Sequence, residues 1–316
     1  MSLIANTGYR SLRVVPPLAG MILFAAIAVL LLPQYIPWTS VNFLLGMAAL
    51  PIAVVGHPTE QPSGRLFWWA LAGALIALFL HSNFLLLAVL LLAIAWQWEI
   101  WQGKLPLLAW GILALMTPAV QYVAVMASFP VRLWLTGVAA KSMSMAGLGA
   151  TAAGNIITMK GHEYSVDPAC MGLKMLVTSL LAGLMVIAIL QKRHQRHVRW
   201  WQVALLLSGV FVLNIVANLL RIVTLVYFDI GPTKTLHELT GLAYLGVYVL
   251  LPTLLLANWV IRRWGYEMAP GSAGKDSPRN QIAPMVTLAA IVCVAGLLHA
   301  APERNQKTSL AAIEGY

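Results

Sequence analysis

A succession of long apolar runs separated by short polar stretches constrains this chain more than any other feature. Hydrophobic residues make up 60% of the 316 residues and charged residues only 9%, whereas a soluble domain carries roughly 25% charged residues. A helix needs about 20 apolar residues to cross the hydrocarbon core of a bilayer. The runs near this length predict nine spans, at residues 18–37, 41–56, 66–81, 84–98, 105–127, 170–190, 200–227, 239–261 and 282–300. The sequence therefore predicts an all-α fold, a polytopic transmembrane helical bundle with about eight to ten spans.

The basic residues predict how this bundle is oriented. Lys and Arg cluster at 192–199 and 262–263, and cytoplasmic loops carry an excess of basic residues. Both clusters are cytoplasmic if the N-terminus is cytoplasmic, which predicts a multi-pass protein of the bacterial cytoplasmic (inner) membrane. The net charge of +10 is spread between apolar runs rather than gathered on one soluble domain, which argues against nucleic acid as a partner.

The segment 128–169 is the longest stretch between predicted spans, and in this orientation it is extracytoplasmic. We expect it to begin with a partly membrane-dipping element, and alternating polar and β-branched residues at 155–164 predict a short hairpin after that element. Pro, Gly and Ser in 264–281 predict a flexible cytoplasmic linker. The predicted divisions are N-terminal transmembrane helices (1–127), a central core (128–261), and the linker with the last span and a short outer tail (262–316).

Cys170 stands at the predicted start of a membrane helix. Asp167 is a favoured N-cap and Pro168 is favoured at the first helical position, so Cys170 is expected in the first turn beside free backbone N–H groups. Lys174 follows one turn later on the same face. A helix N-terminus and a nearby cation both stabilise a thiolate, and Gly172 allows another backbone to approach closely. These features predict a reactive nucleophile; the alternative is a buried, inert cysteine.

Three polar residues line one face of a later span. Asn214, Asn218 and Arg221 are spaced i, i+4 and i+7 in a helix otherwise built mainly of Leu, Val and Ile. An arginine within a membrane costs a few kcal/mol on insertion scales and usually faces a polar interior. The spacing therefore predicts a polar site inside the bundle. The alternative is an Arg221 that reaches interfacial water, with asparagines that hydrogen-bond between helices.

His237 opens the span that follows. It shares a predicted helix face with Gly241, Tyr244 and Tyr248. A histidine with an unperturbed pKa of about 6.5 can act as an acid or a base near neutral pH. In the predicted orientation His237 lies at the same membrane depth as the cysteine and the arginine described above, at the outer ends of consecutive helices.

The remaining polar residues give weaker signals. Cys293 stands in the middle of the last span among Ile, Val and Ala, which predicts an inert thiol. The run 194–197 contains two histidines among basic residues and is typical of a solvated cytoplasmic loop, and His162 and Glu163 are typical of an exposed outer surface. The sequence contains no phosphate-binding loop, dinucleotide fingerprint or metal-ligand spacing, so we expect neither a metal nor a cofactor.

The motifs around the cysteine, the arginine and the histidine resemble those of the exosortase/archaeosortase family of integral-membrane transpeptidases. They are Cys170-Met-Gly-Leu-Lys174, Asn218-Leu-Leu-Arg221 and His237-Glu-Leu-Thr-Gly241, in this order. The resemblance covers about residues 160–260, while the N-terminal spans match only in being hydrophobic. It implies that Cys170 is the nucleophile and that Arg221 and His237 complete the catalytic set. Supporting roles are expected for Asn218, which would orient the arginine, and for Lys174, Gly172 and Gly241.

Two positions depart from the usual pattern of that family. Cys-Met-Gly stands here where the family commonly has Cys-Ser-Gly, and Lys174 stands where it commonly has arginine. These departures predict a divergent branch, such as the exosortase N type.

The resemblance implies a cysteine protease or transpeptidase that cleaves the C-terminal sorting tails of exported proteins. Cleavage would occur at the outer membrane–water interface through a Cys170 thioester, with sorting signals and the lipid bilayer as partners; the recognition motif and the oligomeric state are left open. Two other classes also stay open. One is a transporter of an anionic solute through a pathway lined by Asn214, Asn218 and Arg221, and the other is a non-catalytic sorting scaffold.

Overall fold

In a computed structural model, the chain is described over residues 5–54, 64–126, 128–166, 173–231, 235–267 and 282–314. Helices dominate these ranges and the strands are few and short, which confirms the predicted all-α helical fold. The helices are α1 (Ala5–Leu31), α2 (Val41–Val54), α3 (Arg65–Ala77), α4 (Asn83–Gln102), α5 (Leu107–Met116), α6 (Pro118–Met126), α7 (Ser128–Met145), α8 (Leu173–His194), α9 (Trp200–Tyr227), α10 (Thr235–Tyr244), α11 (Leu251–Trp264) and α12 (Ile282–Glu314). The strands are β1 (Thr151–Ala153), β2 (Ile156–Met159), β3 (His162–Ser165), β4 (Arg196–His197) and β5 (Tyr266–Glu267).

The helices form two compact units that are interleaved along the chain. The first consists of Met1–Pro37, Gly56–Pro106 and Pro270–Tyr316, and the second of Trp38–Val55 and Leu107–Ala269. The division predicted from the sequence, into 1–127, 128–261 and 262–316, follows chain order instead, and as a functional division it stays a prediction.

Four helices of the described chain are long and apolar enough to cross a membrane. They are Asn83–Gln102, Met175–His194, Trp200–Tyr227 and the continuous helix Thr235–Trp264. The other predicted spans correspond to shorter apolar helices, such as Val41–Val54 and Arg65–Ala77. A helix of 14 residues is about 21 Å long, which is less than the roughly 30 Å of the hydrocarbon core. The number of spans therefore stays a prediction.

The helices and strands differ from the predicted segments at several places. The span predicted at 105–127 contains a break, because Thr117 turns back onto the carbonyl of Ala114 and Pro118, which has no N–H, begins a new helix. The last helix begins where the span at 282–300 was predicted and continues beyond it to Glu314. The hairpin predicted at 155–164 is confirmed by the antiparallel pairing of β2 with β3. The segment 128–169 opens with the 18-residue helix α7, and β1 adds a third strand to the hairpin.

In the first unit, α4 packs along both α1 and α3, and α12 packs against all three. Ser82 caps α4, since its side chain accepts a hydrogen bond from the backbone N–H of Leu85. Phe67 and Trp96 pack their rings with centroids 4.9 Å apart between α3 and α4. Cys293 is half-buried in α12.

In the second unit, α8 is the central helix and packs against α2, α5, α9 and α11. Its fully buried side chains Leu181, Leu184 and Ile187 recur every three residues and form the core with small and branched residues of the neighbouring helices. One polar contact adds to this core, because the hydroxyl of Thr178 donates to Oδ1 of Asn42 in α2 at 2.6 Å.

A small antiparallel sheet covers the C-terminal end of α9. The strands are ordered β1-β2-β3, and the β2–β3 turn contains Lys160 and Gly161, both with positive φ, which is the conformation of a two-residue type I′ hairpin. The inward residues of β2 pack with Ile222 and Val226 of α9 and with α7. The sheet therefore lies beside the turn of α9 that contains Arg221.

The opposite end of the second unit carries the basic residues. There β4 pairs with β5, and the guanidinium of Arg196 donates to the backbone carbonyl of Arg262. Gln202 closes the first turn of α9 by accepting from the backbone N–H of Arg199 at 2.7 Å. His194 and Asn258 are hydrogen-bonded at 2.8 Å and join α8 to α11.

The helix Thr235–Trp264 contains a π-helical segment at Leu245–Leu250. Pro252 follows it and has no N–H to donate to the carbonyl four residues earlier. The N–H of Leu251 instead bonds to the carbonyl of Gly246, five residues back. One extra residue is thereby accommodated in the helix.

Candidate functional site

Arg221 is buried at the end of α9 that faces away from the basic clusters. Only 3% of its surface is exposed. Its Nη2 donates to the backbone carbonyl of His237 at 3.4 Å, and its Nη1 lies 3.7 Å from Sδ of Met175, in the first turn of α8. Arg221 therefore joins the ends of α8, α9 and α10 rather than extending to the surface, which contradicts the alternative in which it reaches interfacial water.

His237 and Gly241 lie on the buried face of α10, as their spacing predicts. His237 is 6% exposed, and Gly241 lies directly against the arginine. A Cβ atom on Gly241 would be 2.6 Å from Cε of Met175 and 3.0 Å from Cζ of Arg221. Glycine at this position thus makes room for the guanidinium group.

A small cavity of about 10 Å³, which is room for about one water molecule, lies beside the arginine between α8, α9 and α10. Its polar lining consists of Asn214, Asn218 and Arg221, which confirms that these three residues share one face of the helix. Apolar side chains, among them Leu245 and Val249, form much of the remaining wall.

The two asparagines differ in how their amides are satisfied. Asn214 donates from Nδ2 to Oγ of Ser179 at 3.1 Å, and Ser179 donates in turn to the carbonyl of Leu176. Asn218 is 5% exposed, and neither its Nδ2 nor its Oδ1 has a hydrogen-bond partner within the described ranges. A buried polar atom left in this way costs about 1–3 kcal/mol. The expected hydrogen bond that would orient Arg221 is thus not formed by Asn218 in this structure.

Tyr244 forms a further wall of the cavity and is held from both sides. Its hydroxyl is hydrogen-bonded to Oγ1 of Thr224 at 2.6 Å, and its ring stacks on Tyr248 with centroids 5.1 Å apart. Tyr248, predicted to share the face of His237 and Gly241, is 44% exposed. Val249 lines the cavity where Tyr248 was expected, because the π-helical segment shifts the buried face of the helix by one residue.

The sheet is tied to the end of α9 by one polar contact. Tyr164 of β3 donates a hydrogen bond to the carboxylate of Asp229, just beyond α9. Burial, that bond and the negative charge of Asp229 raise the pKa of Tyr164 above its usual value of 10.0. The tyrosine is therefore protonated at neutral pH and remains a donor to Asp229.

The predicted nucleophile lies outside the described residues. This applies to Cys170, to Gly172 and to the predicted cap at Asp167 and Pro168. Lys174 is the second residue of α8, and its side chain is also outside the described part. Their roles stay predictions.

Some residues of the site were not singled out from the sequence. Thr224 follows Arg221 by three residues, so extending the polar stripe by one turn would have found it. Met175 and Ser179 gave no such signal, because a methionine and a serine in an apolar helix are ordinary core residues. No group of three or more His, Cys, Asp or Glu side chains in the described ranges is placed to hold a metal ion.

Comparison with known proteins extends the resemblance seen in the motifs. The family model of the transmembrane exosortases matches residues 4–255, so the match includes the N-terminal helices and not only the region of about 160–260. No curated protein and no solved structure matches the chain. A match over most of the 316 residues, together with the apolar helices, identifies a membrane protein. This chain belongs to the transmembrane exosortase family.

Proposed function

We propose that the protein is a cysteine transpeptidase that cleaves the C-terminal sorting tails of exported proteins at the outer face of the cytoplasmic membrane. The observation that carries the proposal is the buried pairing of α9 with α10, in which Arg221 donates to the backbone carbonyl of His237. This pairing brings two of the three residues named by the family motifs into one site. The third, Cys170, precedes Met175, which contacts the same arginine, by five residues.

In the proposed reaction, the thiolate of Cys170 attacks the backbone carbonyl at the scissile bond. The carbonyl oxygen gains the negative charge, and the guanidinium of Arg221 stabilises it; loss of one such donor typically lowers the rate about 10²–10³-fold. His237 carries the proton that the thiol gave up and transfers it to the leaving amine as the C–N bond breaks. The product is a thioester on Cys170, which an acceptor amine or water then resolves.

The orientation follows from the two ends of the second unit. The basic residues of β4 and of the last turn of α11 lie at one end of α9, and Arg221 lies toward the other. Because basic ends are retained in the cytoplasm, the site would face the periplasm or exterior. The outer sheet and α7 would then stand beside the sorting signal.

The test is Cys170→Ala in the full-length protein, co-expressed with a secreted protein from the same organism that ends in a short motif, an apolar helix and a basic cluster. We expect cleavage of the tail to be abolished while the level of the enzyme in the membrane is unchanged. Cys293→Ala is the matched control and should cleave normally, because Cys293 lies in the other unit of the chain. Trapping a thioester between enzyme and substrate would separate an enzyme from a scaffold.

Cleavage by Cys170→Ala would contradict the proposal. If neither the wild type nor Cys170→Ala cleaved a tail and the variant kept its full biological activity, the transporter and scaffold classes would be favoured instead. A transporter has no reason to hold a hyper-reactive thiol at its outer face, so the rate of labelling of Cys170 by an impermeant thiol reagent gives a second readout.

A further inference from the structure

Six basic side chains meet at the end of the second unit that lies away from Arg221. They come from the last turns of α8 and α11, from β4 and from the residue before α9, and together they form the basic patch: Lys192, Arg193, Arg196, Arg199, Arg262 and Arg263. The guanidinium of Arg196 donates to the carbonyl of Arg262, and Nε2 of Gln202 in α9 donates to the carbonyl of Trp264 at 3.5 Å. These contacts and the β4–β5 pairing hold the ends of α8, α9 and α11 together, so the fold itself concentrates like charges.

The basic patch carries positive charge that the surrounding protein does not neutralise. Five of its side chains are exposed and Arg196 is half-buried. The segments 192–199 and 258–267 contain a single acidic residue, Glu267, and within the described ranges no member of the patch forms an ion pair. Like charges held close together repel one another, and an anion that binds among them relieves this repulsion.

Exposed tryptophans show the membrane depth of the basic patch. Trp200 follows Arg199 as the first residue of α9, and Trp264 follows Arg263 as the last residue of α11. Trp200 is 72% exposed and Trp264 is 47% exposed, and Trp264 packs edge-on against Trp259 with ring centroids 4.8 Å apart. Tryptophans exposed on a membrane protein lie at the level of the lipid headgroups. The basic patch is therefore placed beside lipid phosphates rather than in bulk water.

The chemistry of the basic patch matches a phosphodiester. Five of its six residues are arginines, and the planar guanidinium group binds two phosphate oxygens at once. Retention of basic loops on one side of a membrane requires only their charge, whereas the contacts between these loops make a surface that several phosphate oxygens can reach together. A zwitterionic lipid also carries an ammonium group, which the patch repels. An anionic phospholipid carries no such group, and its acyl chains can lie along the apolar helices.

We propose that the basic patch binds the headgroups of anionic phospholipids in the leaflet that it faces. The bound phosphates neutralise the patch and stabilise the joined ends of α8, α9 and α11. Arg199 lies about 33 Å along the axis of α9 from Arg221, so this lipid site is separate from the candidate active site. Its occupancy does not depend on whether the protein cleaves sorting tails.

The experiment is a lipid titration of the full-length protein in detergent micelles, followed by native mass spectrometry. Phosphatidylglycerol and phosphatidylcholine with identical acyl chains are compared. We expect the wild type to bind phosphatidylglycerol about 10²-fold more tightly, because each basic residue near a membrane surface contributes a factor of about five in affinity for anionic lipid.

Two double variants remove two charges each from the basic patch. Arg262→Gln/Arg263→Gln and Lys192→Gln/Arg193→Gln should each lower the affinity for phosphatidylglycerol about 30-fold and leave the affinity for phosphatidylcholine unchanged. All four side chains are exposed, so the substitutions remove no buried contact. A single monodisperse peak after purification checks that each variant is folded.

Lys141→Gln/Lys160→Asn is the matched control. It removes the same charge from two exposed lysines of α7 and of the β2–β3 turn, and asparagine tolerates the positive φ of position 160. Its preference for phosphatidylglycerol should equal that of the wild type.

Three results would overturn the proposal. They are the absence of any preference in the wild type, an unchanged preference in both variants of the basic patch, and an equal loss in the control, which would show that only net charge matters. Inorganic phosphate added at millimolar concentration provides a further arm. Displacement of phosphatidylglycerol by this phosphate would identify a site for free anions instead of lipid, whereas retention of the lipid supports the proposal.

Discussion

At the scale of single residues, the site depends on how the protein positions the buried guanidinium group of Arg221, which water hardly reaches. Arg221 is 3% exposed, and a carbonyl, a thioether and a glycine surround it. An arginine has five N–H donors in a fixed planar arrangement, so its direction is set by whichever acceptors and walls it meets. Gly241 is one of those walls, and its lack of a Cβ is what permits the observed position.

We predict that Gly241→Ala lowers kcat about 10²-fold while the protein stays folded. The new methyl group would lie 3.0 Å from Cζ of Arg221 and 2.6 Å from Cε of Met175, and a shift of about 1 Å in a positioning group can cost this much. Cleavage of a sorting tail measures the effect. Gly246→Ala is the control, because a Cβ there meets nothing within 4 Å; equal losses in both variants would show that the helix, not the contact, is responsible.

At the scale of elements, the sequence predicted the helices well and the register of one of them poorly. Periodicity identified the faces of α9 and of the first turns of α10, since Asn214, Asn218 and Arg221 line one cavity. Counting onward from His237 predicted Tyr248 on that face, but Val249 lines the cavity instead. A constant period cannot anticipate the extra residue of a π-helical segment, and the contacts of Met175 and Ser179 arise only when three helices meet.

We predict that Pro252→Ala lowers activity without lowering stability. With an N–H restored at position 252, the π-helical segment Leu245–Leu250 can return to regular α geometry. The residue that the π-helical segment had accommodated then adds about 100° of rotation between the parts of the helix before and after it. The wall formed by Leu245 and Val249 would then be displaced. Thermal unfolding and kcat/KM are the two measurements, and a fully active variant would contradict the prediction.

Pro51→Ala is the matched control for that experiment. Pro51 also lies inside a helix of the second unit, α2, but its side chain is exposed and the helix contains no π-helical segment. We expect its activity to equal that of the wild type.

The β4–β5 pair at the basic end is predicted to weaken in acid. Burial lowers the pKa of His197 from its usual 6.5, so the folded state favours the neutral imidazole. Stability from this group is fully present above pH 6.5 and is lost as the pH falls through the lowered pKa. The protection factors of the His197 and Tyr266 amides, whose residues pair across the two strands with their rings 5.8 Å apart, should therefore fall as the pH is lowered from 7.5 to 5.

His197→Phe keeps a ring against Tyr266 and removes the titrating group. If the variant shows the same acid-dependent exchange as the wild type, another group is responsible for it.

At the scale of the whole molecule, the proposed orientation can be tested with two glutamates. Glu163 is exposed on β3 and Glu267 is exposed on β5. In a background that lacks both native cysteines, Glu163→Cys should react with an impermeant maleimide in intact spheroplasts. Glu267→Cys should react only after lysis, because β5 pairs with β4 at the basic end. The reverse pattern would place the site in the cytoplasm and contradict the proposed location.

During translation, α2 is synthesised long before α8, the helix against which it packs. Asn42 of α2 accepts a hydrogen bond from Thr178 of α8, yet the 118 residues 55–172 lie between the end of α2 and the start of α8. At about 5–20 residues per second, synthesis of that stretch takes roughly 6–24 s. Throughout this interval α2, about 21 Å long, carries the side-chain amide of Asn42, and the helix that donates a hydrogen bond to this amide has not yet been synthesised. The hydrogen bond between α2 and α8 can therefore form only after α8 has been made, so α2 must wait for this partner during the synthesis of the five helices that the structure describes between them.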